Sequence, residues 1–398
     1  MSSFQIGDQV RIRLDEKFGA HTGWYEGTIF KIEPYSEHRS FYWVKLNPDA
    51  GNEPDLGLQP KKYSKTGCRM TMTFEALQPL LQQAVSHRTL SGSLYEEAFR
   101  LFNGFYEGYP DLVLDMYAHT LVIHDYAEQP NPTLIQQVAD FTKTSLDWLR
   151  AGILKTRNGE TQSAKRGELI FGEQPDRKIK EHGIWYALDL TMNRDASFYL
   201  DTSNLRKWLI ENMRGKSVLN TFAYTGSLGA AALAGGATHV MQTDLNRQFL
   251  NLAKDTYSLN GFPIDKKDFI AQDFFPVVAR LKSTKQFFDC VIIDPPFFST
   301  TPRGKVDLVH ESTRLINKVR PLINDGGCLI AINNAVFLSG RDYMNSLEDL
   351  CKDGYLSIRE LIPVPEDFIG SQRIGKPITD PEPFNHSTKI AILDVKRK

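Results

Sequence analysis

Val218-Leu219-Asn220-Thr221-Phe222-Ala223-Tyr224-Thr225-Gly226-Ser227 is the stretch on which the reading of this chain turns. A short apolar run gives way to a Gly-containing turn, then to an Ala-rich segment over 228–234 that stops at Gly235-Gly236. The pattern predicts a buried strand, a tight turn and a helix. Glycine at 226 lets a ligand approach the backbone, and the helix N-terminus offers N–H groups without partners inside the helix. Eighteen residues after Gly226, beyond the apolar run at 239–242, stands Asp244. An acid at the end of a second strand can take both hydroxyls of a ribose. The G-x-G-x-x-G fingerprint is absent, which disfavours pyrophosphate and favours an adenosine ligand without phosphate.

Working outward, near-continuous apolar runs recur at 217–220, 239–242, 268–271 and 289–293, with helical patterning between them, as at 249–254. That alternation predicts an α/β fold whose parallel sheet is covered on both faces. Two more acids follow strand ends: Asp273 after 269–272 and Asp294 after 291–293. Taken singly, a strand-end Asp is often just a helix cap. Three in register with a glycine turn converge where open α/β sheets bind ligands, and Asp273 could accept from an adenine amino group. After Asp294 comes Pro295-Pro296-Phe297-Phe298. A Pro-Pro pair is in itself a strand stop, but beside an adenosine site it fixes a loop whose aromatic ring can stack on a flat, neutral base.

With these motifs in place, the chain resembles the S-adenosylmethionine-dependent class I methyltransferases, and among them the ribosomal RNA large-subunit methyltransferase I and K family. The resemblance is carried by 197–201 (SFYLD) with Arg206, 218–226, 232–237 (ALAGGA), 259–261 (LNG), 293–296 (IDPP) and 325–327 (DGG), and extends back through 101–104 and 108–115. It implies a Rossmann-like domain with a mostly parallel seven-stranded sheet, S-adenosyl-L-methionine as cofactor and ribosomal RNA as partner. The donor would be bound by Tyr199, Asp201, the turn from Asn220 through Phe222 and Tyr224 to Gly226, Asp244, Asp273 and Asp294. The catalytic group would be Asp294, Pro295, Pro296, Phe297 and Asn334.

The acceptor atom follows from which nucleophile is present. Cytosine C5 is a poor nucleophile, and its methylation needs a cysteine thiolate to add at C6 first. In methyltransferase I that cysteine lies at the end of the strand that here reads Cys328-Leu329-Ile330-Ala331-Ile332-Asn333-Asn334-Ala335, and Asn334 stands in its place. Cys290 and Cys328 sit in apolar runs and read as inert core thiols. Asn333-Asn334 resembles the pair of methyltransferase K, a guanine N7 enzyme. N7 has an in-plane lone pair, so positioning does most of the work. Asn side chains can read a base edge, although Asn333-Asn334 could also be only a polar strand end. The expected base-binding set is Phe297, Asn333, Asn334 and His386, the last near the Gly/Pro-rich loop at 370–383. An exocyclic amine is the competing acceptor, with Asp294 accepting from it. Cytosine C5, a protein side chain, or a non-catalytic RNA-binding or assembly role complete the alternatives.

Upstream, 9–13, 25–32 and 41–46 are short β-branched or aromatic runs between polar turns. They loosely resemble an SH3-like barrel over 1–66, where methyltransferase I carries a PUA module that this sequence does not show. A linker and helix (67–95, helical spacing at 73–86), a small α+β domain (96–192) and the methyltransferase domain (193–398) follow. The 96–192 unit is a second candidate for RNA contact. Strands are expected there near 99–102, 112–117, 120–124, 152–156, 168–172 and 184–190, with one helix at 133–150.

Net charge is −1 over 398 residues, which excludes a strongly basic nucleic-acid binder judged by total charge. Residues 193–398 nonetheless carry 26 basic against 23 acidic side chains, so a local basic patch remains open. Four scattered cysteines argue against a disulfide framework or zinc site and fit a reducing cytosol. No apolar run nears the ~18 residues of a membrane span, and the opening MSSFQIGDQV lacks an export signal's apolar core. A cytoplasmic protein without a membrane partner is expected. The oligomeric state is left open, a homodimer included.

Overall fold

The computed structural model describes residues 6–14, 23–36, 39–46, 62–64, 73–89, 95–370 and 379–397. The chain divides into two compact units, Met1–Leu77 and Gln78–Lys398. In the first, β1 (Gln9–Leu14), β2 (Gly23–Ser36), β3 (Arg39–Leu46) and β4 (Lys62–Ser64) form an antiparallel sheet in chain order. The three expected runs lie on β1 to β3. The described residues form an antiparallel meander, and no pairing between β1 and β4 closes it into a barrel among them. Residues 67–72 and 90–94 of the expected linker, Cys68 among them, and residues 371–378 lie outside the described residues. Helix α1 (Phe74–Thr89) covers the expected helix and spans the join between the units.

In the second unit, β5 (Ala98–Asn103), β6 (Leu112–Tyr117), β7 (Thr120–Asp125), β8 (Ala151–Thr156) and β9 (Glu168–Phe171) form a five-stranded sheet in chain order. Short helices α2 (Gly104–Glu107) and α4 (Gln162–Arg166) flank α3 (Pro132–Ser145), which joins the parallel pair β7 and β8. The helix expected to reach 150 stops at Ser145, and Trp148 instead sets its ring edge-on to Tyr95 at 5.4 Å. The strand expected over 184–190 ends at Ala187: β10 (Lys178–Glu181) and β11 (Ile184–Ala187) form a hairpin, and β10 was not foreseen.

The seven-stranded sheet holds β12 (Ser217–Thr221), β13 (His239–Asp244), β14 (Phe269–Ala271), β15 (Phe288–Ile293), β18 (Ile323–Asn333), β19 (Leu356–Ile362) and β20 (Lys389–Val395). Its order is β14-β13-β12-β15-β18-β20-β19, and β20 alone runs antiparallel to both neighbours. Between β15 and β18 the chain inserts a hairpin, β16 (Phe298–Thr301) and β17 (Gly304–Asp307). The remaining helices are α5 (Ser203–Asn212), α6 (Ser227–Ala234), α7 (Arg247–Leu259), α8 (Phe274–Ser283), α9 (Ser312–Val319) and α10 (Gly340–Cys351).

Period-two alternation sorts the strand residues onto two cores. Leu219, Val291, Leu329 and Leu393 pack with Val277 and Leu281 of α8 and Leu315 of α9. Val218, Cys290, Ile292, Cys328 and Ile330 pack with Leu205, Trp208 and Ala231 of α5 and α6. Both faces are covered, which is why the runs are near-continuously apolar, broken by the buried, hydrogen-bonded pair Asn220 and Gln242. A third core crosses residue 192, joining Tyr117, Val122 and Ile153 to Phe198, Leu250 and Phe368. β12 and β15 run parallel, but the order in which successive strands are added reverses between them, and that is where an open α/β sheet leaves a crevice. Among the described residues, no helix is long and apolar enough to cross a membrane.

Candidate cofactor and target site

The turn after β12 is built from left-handed backbone: φ is +54° at Phe222, +51° at Tyr224 and +75° at Gly226. Such angles at aromatic residues persist only where surrounding bonds fix them. Here Ala223 N–H donates to Thr243 O (2.9 Å), Tyr224 N–H to Asp244 Oδ2 (2.9 Å) and Gly226 N–H to Ala223 O (2.8 Å). A Cβ on Gly226 would lie 2.5 Å from Ala253 Cβ and 2.7 Å from Gln242 Nε2. The position therefore requires glycine, both for its backbone angle and for its space.

Beyond the carboxyl ends of these strands lies a cavity of about 430 Å³, within the range of small-ligand sites. Of the expected residues, Tyr199, Asp201, Phe222, Tyr224, Asp244, Asp273, Asp294, Pro295, Pro296 and Asn334 line it. Tyr199 and Tyr224 stand with ring centroids 4.9 Å apart, and Tyr224 meets Phe249 edge-on at 4.5 Å. The Tyr224 hydroxyl accepts from Asn193 Nδ2 and donates to Ala196 O, both at 3.0 Å. Phe222 stacks on Phe274 at 4.7 Å.

The carboxylates differ in what holds them. Asp244 accepts from the N–H groups of Tyr224 and Asn246, and burial pushes its pKa up against those bonds. Asp273 caps α8 by accepting from Phe275 N–H at 2.9 Å, so one side chain both caps the helix and lines the cavity. Asp201 accepts from Thr388 Oγ1 at 2.8 Å, while burial pushes its pKa up. Burial, with the nearby Asp201 charge second, pushes Asp294 up to about 7.

Five expected residues do not line the cavity. Asn220 is buried beneath the turn and donates to Gln242 Oε1 at 2.9 Å, so it braces the sheet and does not reach a ligand. Asn333 is fully buried: its Nδ2 donates to Leu308 O (3.1 Å) and its Oδ1 accepts from Ala335 N–H (2.9 Å). Asn333 therefore fits the polar strand-end alternative and not base binding, and of the pair only Asn334 lines the cavity. His386 is buried against Tyr106 and Phe368, and its Nδ1 accepts from Thr388 N–H at 3.1 Å, so it shapes the loop. Phe297 is 39% exposed and lies edge-on to Phe337 outside the cavity wall. Gly226 acts through the turn's shape, also without lining the cavity.

Several lining residues escaped sequence reasoning. Asn193 and Asp195 sit in a segment without pattern, held from β8 by Lys155 Nζ on Asn193 O (3.0 Å) and from Arg157 beyond it by an ion pair to Asp195 (2.8 Å). Arg206, part of the family pattern and outside the lining, is fully buried; it pairs with Glu181 of β10 and donates to Tyr199 O, fixing the segment that carries Tyr199 and Asp201. Ser299, Thr301, Gly304 and Val306 of the β16–β17 hairpin form another wall. The Thr-Pro-Arg-Gly run at 301–304, set between β-prone residues, was a turn signal that could have revealed it.

A family model for S-adenosylmethionine-dependent methyltransferases matches residues 100–368. The chain belongs to this family. It is 26% identical over 267 residues to ribosomal RNA large subunit methyltransferase I of Photobacterium profundum, covering 66% of each chain. It is 29% identical over 246 residues to ribosomal RNA large subunit methyltransferase K/L of Colwellia psychrerythraea, covering 60% of this chain and 34% of that one. The match thus spans just under two thirds of the first relative and about a third of the second. In fold, the chain is similar to one crystallised with S-adenosylhomocysteine, at TM-score 0.72 and 19% identity over 98% of this chain and 91% of that one. It is also similar to an S-adenosylmethionine-dependent methyltransferase from Agrobacterium tumefaciens, at TM-score 0.52 and 16% identity over 72% and 88%.

The residues present fit this family's cofactor, S-adenosylmethionine. The left-handed turn brings backbone close to the cavity, Asp244 offers carboxylate oxygens at the end of β13, aromatic walls suit a purine ring, and Asp201 and Asp294 hold carboxyl groups whose ionised form a cationic ligand would favour. Asp244→Ala is expected to weaken donor binding by roughly 1.5–3 kcal/mol, the scale of hydrogen bonds to a charged acceptor. Isothermal titration reads this directly, and unchanged affinity would place the ribose elsewhere.

Proposed function

We propose that this chain methylates a purine nitrogen in RNA, with large-subunit ribosomal RNA as substrate and guanine N7 as the favoured atom, without a covalent cysteine intermediate. The donor supplies the methyl group on a sulfonium, already activated for displacement. Asp244 and the turn orient it, Asp294 and the Pro295-Pro296 loop shape the acceptor side, and the cavity walls exclude water.

The observation that carries the reading is Asn334. It lines the cavity, and its Oδ1 is buried with no hydrogen-bond partner. A buried acceptor left unpaired costs about 1–3 kcal/mol, and a purine N–H at the base edge would relieve that cost. No cysteine lines the cavity among the described residues: Cys290 and Cys328 are fully buried on the face covered by α5 and α6, and Cys351 lies on α10. The relatives named as ribosomal RNA methyltransferases support RNA as the substrate. The same reading assigns residues 1–66 to an SH3-like module, 96–192 to a domain with RNA contacts and 193–398 to the methyltransferase domain, acting in the cytoplasm.

Two sets of variants test it. Replacing Cys290, Cys328 or Cys351 singly by Ala should leave methylation intact apart from packing losses. A 5-fluorocytosine RNA adduct that one of these changes abolishes would overturn the purine assignment. Asn334→Ala should cut methyl incorporation about tenfold or more while leaving donor affinity near the parent's. Normal methylation by Asn334→Ala would remove Asn334 from the base pocket.

A further inference from the structure

We propose that the β16–β17 hairpin and helix α9 form the surface that holds the single-stranded RNA flanking the target nucleotide; this rests on the reading of RNA as substrate. The hairpin is a wall of the cavity on one side, through Ser299, Thr301, Gly304 and Val306. It also carries exposed aromatic area: Phe298 is 54% exposed, with Lys305 Nζ 5.2 Å from its ring centroid. Exposed aromatic faces beside cations are what single strands bind, because every base can stack and every nucleotide brings a phosphate.

Charge supports the same occupant. Residues 296–320 hold five Lys and Arg against two acids, in a chain whose net charge is −1. Three of the five cations stand in ion pairs, Lys305 with Asp307 at 2.9 Å, Arg314 with Glu311 at 3.0 Å and Arg320 with Asp353 at 2.9 Å, so the excess positive charge of this segment lies with Arg303 and Lys318. Arg303 projects at the hairpin tip, exposed. The neighbouring α8 adds Lys282, whose pKa is lowered by burial and by the positive charge of Lys318. Cations gathered this closely repel one another, and a polyanion relieves that repulsion. The surface is anchored, too. A Cβ on Gly304 would lie 2.3 Å from the Phe275 ring, and Arg314 and Lys318 sit 5.9 and 5.7 Å from that ring's centroid. Since Phe275 also lines the cavity, a strand bound here would run directly into the site.

The test uses the full chain, a fluorescent single-stranded oligoribonucleotide for binding, and ribosomal RNA for turnover. Phe298→Ala should weaken oligonucleotide binding by about 5- to 150-fold, as expected for one lost stacked base. It should raise the KM for RNA more than it lowers kcat. Arg303→Ala with Lys305→Ala should make the log–log salt dependence of binding shallower by about 1.4, since each phosphate contact on a single strand contributes about 0.7. Donor affinity and melting temperature should stay at parent values in both, because these side chains are exposed. If the parent methylates RNA while both variants keep its affinity, KM and salt slope, the hairpin is only a cavity wall and this proposal fails with the substrate reading intact. A parent that neither binds nor methylates RNA overturns the substrate reading, and this proposal with it.

Discussion

Gly226→Ala is expected to destabilise the protein by about 2–4 kcal/mol and to remove measurable donor binding. The backbone angle of +75° lies in the region that a Cβ disfavours by about 1–2 kcal/mol. The added methyl would also meet Ala253 Cβ at 2.5 Å and the Gln242 amide at 2.7 Å, neither at the end of a free side chain. Gln242 is itself engaged, with its Oε1 accepting from Asn220 and its Nε2 donating to Tyr257 Oη at 3.0 Å. Overpacking of this kind costs about 1–3 kcal/mol. Relief requires the turn to move, and the turn positions both Tyr224 and the Asp244 carboxylate. Urea denaturation and titration with the donor check the two halves. A variant of parental stability and affinity would show that the turn tolerates a side chain, and the cofactor account would lose its main geometric support.

The second large effect is on pH dependence. Asp294 sits near 7 when folded, against an ordinary 3.8. The folded state therefore keeps a proton that the unfolded chain releases between those values. Stability falls as pH rises through that window, and the loss is complete above 7. Asn at this position has no charge to bury. Without ligand, Asp294→Asn should exceed the parent in stability by roughly 1–3 kcal/mol at pH 8, discounted from the full shift for the residue's partial exposure. Near pH 4 the difference should vanish. Denaturation at pH 4, 6 and 8 resolves the trend, and a difference of equal size at all three would remove burial of the charge as its cause. Methyl incorporation by this variant should fall at least about 100-fold, the scale of losing one electrostatic group from an active site.

What the sequence made legible follows from which signals are local. The parallel sheet was readable because both faces are buried, so runs such as Val291-Ile292-Ile293 are apolar at successive positions. The glycine turn and strand-end acids were readable because chain direction alone puts Asp244, Asp273 and Asp294 at one edge. Asn333 and Asn334 could not be separated: successive residues at a strand end face opposite ways, and only the structure shows Leu308 O meeting the first. His386 looked chemical because its neighbours are polar, whereas the rings that bury it, Tyr106 and Phe368, come from distant segments. Asn193 and Asp195 were invisible for the same reason, since Lys155 and Arg157 reach them from another sheet.

The most direct measurement is mass spectrometry of nucleosides from large-subunit ribosomal RNA, or unfinished subunits, incubated with the purified chain and isotopically labelled S-adenosylmethionine. The account predicts label on a purine, with 7-methylguanosine foremost, and the same product from the cysteine variants. Label in 5-methylcytidine would contradict it, because that product needs a thiolate nucleophile and no cysteine lines the cavity among the described residues.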